Sequence, residues 1–254
     1  DHTTFGDVGR ALPDVFVLRG ARIGAFEGMG DAAQIGGLAR DELARAAKFR
    51  FARDRDRYIV GRGLLRTLLA GYLERPPREL RFEYGAFGKP KLEGDGPQFN
   101  LSHSGALALY AFNADTEIGV DVELDRVDFA QERIAERFFS QTEVHVLRSL
   151  PERQQPLAFM TCWTRKEAFI KARGDGLSLP LASFDVSLAP DAPAALLNTA
   201  WSPTEPAAWW LCDLSDASHG YVAALAMRSD RRRIVSRDVA DGLAVKSTTE
   251  QGAH

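Results

Sequence analysis

The stretch EIGVDVELDR, residues 117 to 126, decides how the fold is interpreted. Its apolar residues alternate with Gly119, Asp121 and Glu123, and a period of two is typical of a β-strand with one buried face. The two carboxylates then stand on the same face, roughly 7 Å apart at the backbone, where their like charges repel. Two interpretations stay open at this point: a solvated strand whose outer face is acidic, or a pair of carboxylates that share a bound cation.

A third carboxylate occurs in WTRKEAFIKARGDG, residues 163 to 176. On a helix, Trp163, Glu167 and Lys171 fall on one stripe, because residues four apart are neighbours. A solvated Glu/Lys pair is the plain interpretation, but the shared stripe with Trp163 favours a sheltered one. Three carboxylates without His or Cys favour Mg²⁺, or Mn²⁺, over Zn²⁺. Because Mg²⁺ commonly binds phosphate oxygens as well, the sequence predicts a phosphorylated substrate.

Positive charge and hydrogen-bond donors occur in three other places. Ser102 and His103 stand beside a glycine, where side-chain and backbone donors can meet a phosphate oxygen. Lys89 precedes Pro90, which stiffens the chain. Residues 45–66 carry eight Lys or Arg against two Asp. Each feature also has a structural interpretation, namely a structural histidine, an ordinary turn and a solvated helix face.

Helical and strand patterns occur twice in the same order along the chain, which predicts an α+β fold of two similar halves. The echo between SHSGALALYA from Ser102 and SHGYVAALA from Ser218 supports a duplication, although strings this short also match by chance. We predict an N-terminal half at residues 1–115, a C-terminal half at 116–230 and a flexible tail at 231–254.

The composition is that of a soluble globular protein. The chain has 254 residues, of which 45% are hydrophobic and 26% charged, with a net charge of −3. Cys162 and Cys212 are too few for a disulfide framework, no apolar run has membrane-spanning length, and the first ten residues do not resemble a signal peptide. We therefore expect a cytoplasmic protein that binds neither membrane nor nucleic acid.

Five motifs occur in order along the chain: GKPKL, FNLSHSG, IGVDVE, RFFSQTE and WTRKEAFIKARGDGLS. In residue types and spacing, over roughly residues 40–190, they resemble the surfactin-type 4'-phosphopantetheinyl transferases. The resemblance implies a monomeric pseudo-dimer of two similar α/β halves with the active site in the cleft between them. It also implies the reaction: the phosphopantetheine arm of coenzyme A passes to a serine of an acyl or peptidyl carrier protein, and 3',5'-ADP is released. Such carriers belong to fatty-acid, polyketide or nonribosomal peptide synthases.

The resemblance further implies a catalytic role for several of the residues above. Asp121, Glu123 and Glu167 look like Mg²⁺ ligands, with Glu167 also the general base toward the incoming serine. Lys171 would hold the pyrophosphate and stabilise charge on the leaving group, together with His103.

A set of cofactor-binding residues is implied in the same way. Those expected to hold the phosphates of coenzyme A are Arg45, Arg57, Ser102, His103 and Lys171. Lys89 and Pro90 would lie along the adenine.

Two other functions remain as alternatives. A metal-dependent phosphohydrolase would use the same three carboxylates with water as the nucleophile. A non-catalytic binder of coenzyme A or carrier protein would be expected to have lost a metal ligand or Lys171, and the sequence retains all of them.

Overall fold

Groups of helices and groups of strands follow one another along the chain in the computed structural model, which describes residues 15–20, 37–125, 131–229, 233–240 and 244–247. The helices are α1 (Arg40–Ala46), α2 (Ala52–Leu73), α3 (Gln131–Phe138), α4 (Gln141–Ser149) and α5 (Gln155–Arg173). The strands are β1 (Val15–Gly20), β2 (Phe82–Tyr84), β3 (Pro90–Leu92), β4 (Gln98–Ser104), β5 (Leu107–Asn113), β6 (Ile118–Leu124), β7 (Phe184–Val186), β8 (Leu196–Thr199), β9 (Trp210–Asp213), β10 (Tyr221–Met227), β11 (Ile234–Ala240) and β12 (Ala244–Ser247). Within these ranges, no helix combines the length and apolar character needed to cross a membrane.

Three antiparallel strands of a five-stranded sheet, whose full order is β12-β11-β1-β5-β4, share their connectivity with a three-stranded antiparallel sheet. The order is β1-β5-β4 in the first set and β6-β10-β9 in the second, so the strand that comes last of the three along the chain is central in both. In each, helices and a small hairpin, β2–β3 or β7–β8, separate the first strand from the second. The predicted α+β fold of two similar halves is therefore confirmed.

The sequence echo falls at equivalent positions of these two sheets. Gly105 and Gly220 both adopt positive φ, 57° and 68°, in the turns that lead into the central strands β5 and β10. Glycine is favoured there because a Cβ is strained in this region of φ. The position of the echo supports a duplicated unit, and the exact division into residues 1–115 and 116–230 stays a prediction.

The sequence shows helical periodicity over residues 41–74 and 128–150, which predicts one helix in each segment, but the structure divides both. Residues 41–74 form α1 and α2, and residues 128–150 include α3 and α4. Ser140 causes the second division, because its side chain accepts a hydrogen bond from the backbone N–H of Glu143 and so begins a new helix. Glu143 completes this capping box by accepting from the Ser140 N–H at 2.9 Å. Helix α5 ends at Gly174, which adopts φ 78°, a conformation in which glycine is favoured as a helix C-cap.

Strand β6 is covered on both faces. Its apolar face belongs to a core shared with β1 and β5, and Val120 and Val122 are fully buried there. Its other face packs on α5, and Asp121 is only 3% exposed. The interpretation of β6 as a solvated acidic edge is therefore wrong at Asp121, because helix α5 shields that face from water.

The contact between β6 and α5 depends on Gly119. A Cβ at this position would lie 2.1 Å from the carbonyl oxygen of Ala168 and 2.3 Å from the backbone nitrogen of Ala172. Only a residue without a side chain permits such an approach between two backbones. Gly119 therefore sets the distance between the strand and the helix that carry the candidate carboxylates.

Two strands lie within the segment for which the sequence predicts a flexible tail. Strand β11 pairs in parallel with β1, and β12 pairs with β11 in antiparallel fashion. Ile234 and Val235 are half-buried against the cores of the two sheets. Strand β11 has no local signal in the sequence, because its partner β1 is more than 200 residues away. The flexible tail at residues 231–254 stays a prediction.

Substitution Gly119→Ala tests this packing. We expect the free energy of unfolding to fall by about 3 kcal/mol, since the added methyl group has only backbone atoms to displace. Urea denaturation followed by circular dichroism measures the change. Gly61→Ala is the matched control, because its Cβ would meet nothing closer than 3.7 Å inside α2 and alanine favours a helix by up to about 1 kcal/mol. Equal stability of Gly119→Ala and the wild type would contradict the packing described.

Candidate active site

Polar side chains of β4 join the two sheets. The side-chain oxygen of Asn100 accepts from the backbone N–H of Val120 at 2.9 Å, and Ser104 Oγ accepts from that of Leu124 at 3.0 Å. Ser104 also donates to Glu123 Oε2 at 2.7 Å. Side chains at alternate positions of β4 therefore hydrogen-bond to the backbone of β6, as a neighbouring strand would. The candidate site lies along this line of contact between β4 and β6, which we call the seam.

Asp121 is the centre of the polar contacts at the seam. Its Oδ1 accepts from Lys171 Nζ at 2.5 Å and from Ser102 Oγ at 2.8 Å, while Lys171 also donates to Ser102 at 2.9 Å. Its Oδ2 is buried without a hydrogen-bond partner among the described residues. A buried carboxylate oxygen is costly to leave unpaired, so this atom has the capacity to bind a further donor or a cation.

Glu123 and Glu167 add negative charge beside Asp121. Burial raises the pKa of both carboxyl groups, and the charge of Asp121 raises them further, although the ammonium of Lys171 opposes the shift. The hydrogen bond from Ser104 also opposes the shift at Glu123. The shifts show that the three carboxylates repel one another, and a cation among them would remove this repulsion.

One cavity of about 500 Å³ collects these groups. It is lined by Leu101, Ser102, His103, Asp121, Glu123, Phe138, Trp163, Glu167, Lys171 and Leu181. The predicted stripe of Trp163, Glu167 and Lys171 therefore faces a cavity. Phe138 packs edge-on against Trp163, with ring centroids 6.4 Å apart, and the two rings supply an apolar part of the cavity lining.

A second cavity, of about 160 Å³, adjoins the first and is cationic. Its lining residues are Arg45, Arg57, Tyr58, Gly61, Arg62, Tyr84, Gly88, Pro90, Asn100, Leu101 and His103. Leu101 and His103 line both cavities, so the two form one cleft with a basic end and an acidic end.

A buried ion cluster positions the basic end. Glu42 of α1, only 1% exposed, accepts from the Nε of both Arg62 and Arg66 of α2. This cluster fixes α1 against α2, and Arg45 of α1 then lies over the ring of Tyr58 at 5.5 Å. Sequence reasoning missed Glu42, because nothing in the local pattern distinguishes a buried acid from a solvated one.

The imidazole of His103 lies where the two cavities meet. Loss of hydration to the surrounding protein atoms lowers the pKa of His103, and the nearby charges of Lys171 and Arg57 lower it further. The ring is therefore mainly neutral near pH 7 and gains a proton more readily when an anion lies beside it.

Lys89 and Pro90 are adjacent in sequence, but their side chains lie in different surroundings. Pro90 lines the basic cavity. The ammonium of Lys89 instead donates to the carbonyl oxygens of Ile118 at 3.1 Å and Ala172 at 2.7 Å, and Lys89 lines neither of the two cavities. The structure thus brings together all of the candidate residues except the side chain of Lys89.

A second buried pair, not foreseen from the sequence, anchors α5. Lys166 is fully buried, pairs with Glu143 at 2.8 Å and donates to the carbonyl oxygens of Leu181 and Phe184 at 2.7 and 2.5 Å. Because Lys166 precedes Glu167, this anchor helps to turn Glu167 toward the cleft. The spacing of Ser140 and Glu143 is a capping signal that the sequence displays, but nothing in the sequence indicates that Glu143 pairs with Lys166.

The three carboxylates line one cavity without forming a ready-made metal site. Within the ranges that the structure describes, no group of three or more His, Cys, Asp or Glu side chains is arranged to hold a metal ion. The donor set nevertheless fits a hard cation, because every member offers oxygen and Asp121 Oδ2 is buried without a described partner.

Comparison with known proteins identifies the family. A model of the 4'-phosphopantetheinyl transferase superfamily matches residues 117–226, and a model of the N-terminal part of 4'-phosphopantetheinyl transferases matches residues 32–115. The chain is 45% identical to the 4'-phosphopantetheinyl transferase HetI of Nostoc sp., over 66% of this chain and 73% of that protein. It therefore belongs to the 4'-phosphopantetheinyl transferase superfamily.

Two further relatives agree with this assignment. The 4'-phosphopantetheinyl transferase Sfp of Bacillus subtilis is 35% identical over 61% of this chain and 68% of its own length. The L-aminoadipate-semialdehyde dehydrogenase-phosphopantetheinyl transferase of Homo sapiens is 32% identical over 59% of this chain and 52% of its own length.

The electrostatics of the cleft predict the titration of His103. In the ligand-free protein its ring should titrate below about 6.5, the ordinary value for histidine. Lys171→Met removes a nearby cation and should raise that midpoint. NMR of the histidine ring protons measures both, with His103→Gln to assign the signal. A midpoint at or above the ordinary value in the wild type would contradict the environment described.

Proposed function

We propose that this protein transfers the 4'-phosphopantetheine arm of coenzyme A to a serine hydroxyl of an acyl or peptidyl carrier protein and releases 3',5'-ADP. The single observation that carries the proposal is the meeting of a basic cavity and an acidic cavity at His103. Coenzyme A has the complementary form, with an anionic nucleotide at one end and an uncharged arm beyond its diphosphate.

The basic end of the cleft is the proposed nucleotide site. Arg45 and Arg57 offer planar guanidinium groups, which bind phosphate through two hydrogen bonds at once. His103 and Ser102 would supply further donors toward the diphosphate, and Pro90 would provide a flat apolar surface for the adenine. The buried bond network of Glu42 supports this proposal, because it fixes the helix that carries Arg45 before any ligand arrives.

The acidic end is the proposed metal site. Asp121, Glu123 and Glu167 would hold Mg²⁺, or Mn²⁺, and the Asp121 oxygen that has no partner among the described residues supports this assignment. When bound, the ion would neutralise charge on the diphosphate. Lys171, which already contacts Asp121, would place a second positive charge beside the same diphosphate.

The transfer step needs a base for the serine and positive charge for the leaving group. Glu167 would accept the hydroxyl proton as the serine oxygen bonds to the phosphorus next to the pantetheine arm. The bond from that phosphorus to the bridging oxygen breaks, and 3',5'-ADP leaves with the electron pair. Lys171 and His103 would stabilise the negative charge on the departing 3',5'-ADP. The raised pKa of Glu167 supports its role, because a stronger base accepts a proton more readily.

The finer assignments also belong to this proposal. We place the protein in the surfactin-type subclass, since its five motifs occur in that order and spacing in one chain. A monomer is sufficient, because a single chain supplies both sides of the cleft. We assign the activity to the cytoplasm, where the synthases that carry such domains are made.

Mass spectrometry tests the proposed reaction. The protein is incubated with coenzyme A, Mg²⁺ and a purified carrier domain, and the carrier is weighed. We expect the carrier to gain one phosphopantetheine group, and a carrier with its acceptor serine changed to alanine to gain none. Breakdown of coenzyme A without modification of the carrier would favour a phosphohydrolase. Binding without any turnover would favour a non-catalytic binder.

Glu167→Gln tests the base. The amide keeps the size of the side chain but cannot accept the proton, so kcat should fall by about 10²-fold or more. Binding of 3',5'-ADP, measured by calorimetry, should change little because Glu167 lies at the acidic end. Glu83→Gln is the control, since Glu83 is exposed and pairs with Lys91 on the hairpin. Turnover of Glu167→Gln near the wild-type rate would remove Glu167 from this role.

A further inference from the structure

Lys89 extends from the first half of the fold into the second. It stands just before β3 in the β2–β3 hairpin, yet its ammonium donates to the carbonyl oxygens of Ile118 in β6 and Ala172 in α5. These partners are 29 and 83 residues away in sequence. Its aliphatic stem passes close to Gly174, where an added Cβ would lie 3.5 Å from Lys89 Cδ. One side chain therefore ties together the hairpin, the strand and the end of the helix.

The two acceptors explain why the amine is held so firmly. Ala172 lies in the last turn of α5, where carbonyl groups have no partner within the helix. A positive charge at that end also interacts favourably with the helix dipole. Burial lowers the pKa of Lys89 to about 8, although the carboxylate of Glu117 opposes the shift, so the two hydrogen bonds offset only part of the cost of holding the ammonium there.

The position of Lys89 connects the two ends of the cleft. On one side, its neighbours Gly88 and Pro90 line the basic cavity. On the other side, Ala172 follows Lys171 directly, and Ile118 begins the strand that carries Asp121. A displacement of the hairpin would therefore be transmitted to both elements of the acidic end.

We infer that Lys89 is a positioning residue, which fixes β6 and the end of α5 relative to the nucleotide-binding hairpin through two backbone carbonyls. This differs from the contact with the adenine that the family resemblance implies for Lys89. The kinetic part of the inference rests on the proposed transfer reaction, whereas its structural part does not.

The two roles of Lys89 predict different kinetics. A positioning residue affects the geometry of Lys171 and Asp121, so its loss lowers kcat with little change in nucleotide binding. A residue that contacts the nucleotide contributes binding energy, so its loss weakens the affinity for 3',5'-ADP and leaves kcat at saturation unchanged.

Three variants separate these outcomes. In Lys89→Met we expect kcat to fall about tenfold, with the Kd of 3',5'-ADP changed by less than about threefold. Lys89→Arg, which keeps donors for the two carbonyls, should recover most of kcat. Lys91→Met is the matched control, because Lys91 lies on the same hairpin, is 64% exposed and pairs only with Glu83 among the described contacts. The Lys91→Met substitution removes a positive charge, as Lys89→Met does, and should leave kcat unchanged.

Hydrogen exchange gives a readout that needs no turnover. In Lys89→Met, peptides that cover residues 168–178 should exchange faster than in the wild type, while peptides from α2 remain unchanged. Unchanged exchange at the end of α5, or a tenfold loss of 3',5'-ADP affinity with full kcat, would overturn the inference. If the wild type shows no transfer at all, the proposed function fails, but exchange and nucleotide binding still decide the role of Lys89.

The lowered pKa of Lys89 predicts a pH dependence of stability. In the unfolded chain the amine titrates near 10.5 and in the folded protein at about 8, so the unfolded chain holds more protons between these values. The free energy of unfolding of the wild type should therefore rise relative to Lys89→Met as pH increases through this window. Urea denaturation at several pH values measures the difference, in which titrating groups that do not interact with Lys89 cancel. A difference that is constant with pH would contradict the buried position of the amine.

Discussion

The close approach of Gly119 to helix α5 is the constraint on which the site depends. With only 2.1 Å between a Cβ built at Gly119 and the oxygen of Ala168, the strand and the helix meet through their backbones. Asp121 and Glu123 follow on the same face of the strand, and Glu167 and Lys171 lie on the facing side of the helix. Their meeting in one cavity is thus a consequence of packing, and the electrostatic attraction between Lys171 and Asp121 adds to it.

Around this contact, buried polar groups perform the positioning that an apolar core cannot. Glu42 orients the helix of Arg45, Lys166 and Glu143 anchor α5, and Asn100 and Ser104 attach β6 to the other sheet. A substitution that removes one member of such a pair leaves the other member buried and unpaired, so these groups tolerate little change. The candidate catalytic residues themselves remain under electrostatic stress, with three carboxylates close together and one oxygen of Asp121 unpartnered within the described residues. Such stress is expected where a charged ligand is to be bound.

Much of this site could be predicted from sequence where the chemistry is local. The alternation in β6 correctly predicted that Asp121 and Glu123 share a face, and the helical spacing predicted that Trp163, Glu167 and Lys171 share another. What could not be predicted depends on partners that are distant in sequence. Asp121 is buried because α5 covers it, and β11 forms a strand because it pairs with β1. The amine of Lys89 is positioned by carbonyl groups in two other elements. No local pattern encodes such partners.

Anomalous diffraction from crystals grown with Mn²⁺ and coenzyme A shows directly whether the three carboxylates bind one cation beside the diphosphate. We expect one Mn²⁺ peak bonded to carboxylate oxygens of Asp121, Glu123 and Glu167 and to an oxygen of the diphosphate. A peak that contacts at most one of these carboxylates, or coenzyme A bound in the cleft with no metal beside its diphosphate, would contradict this expectation.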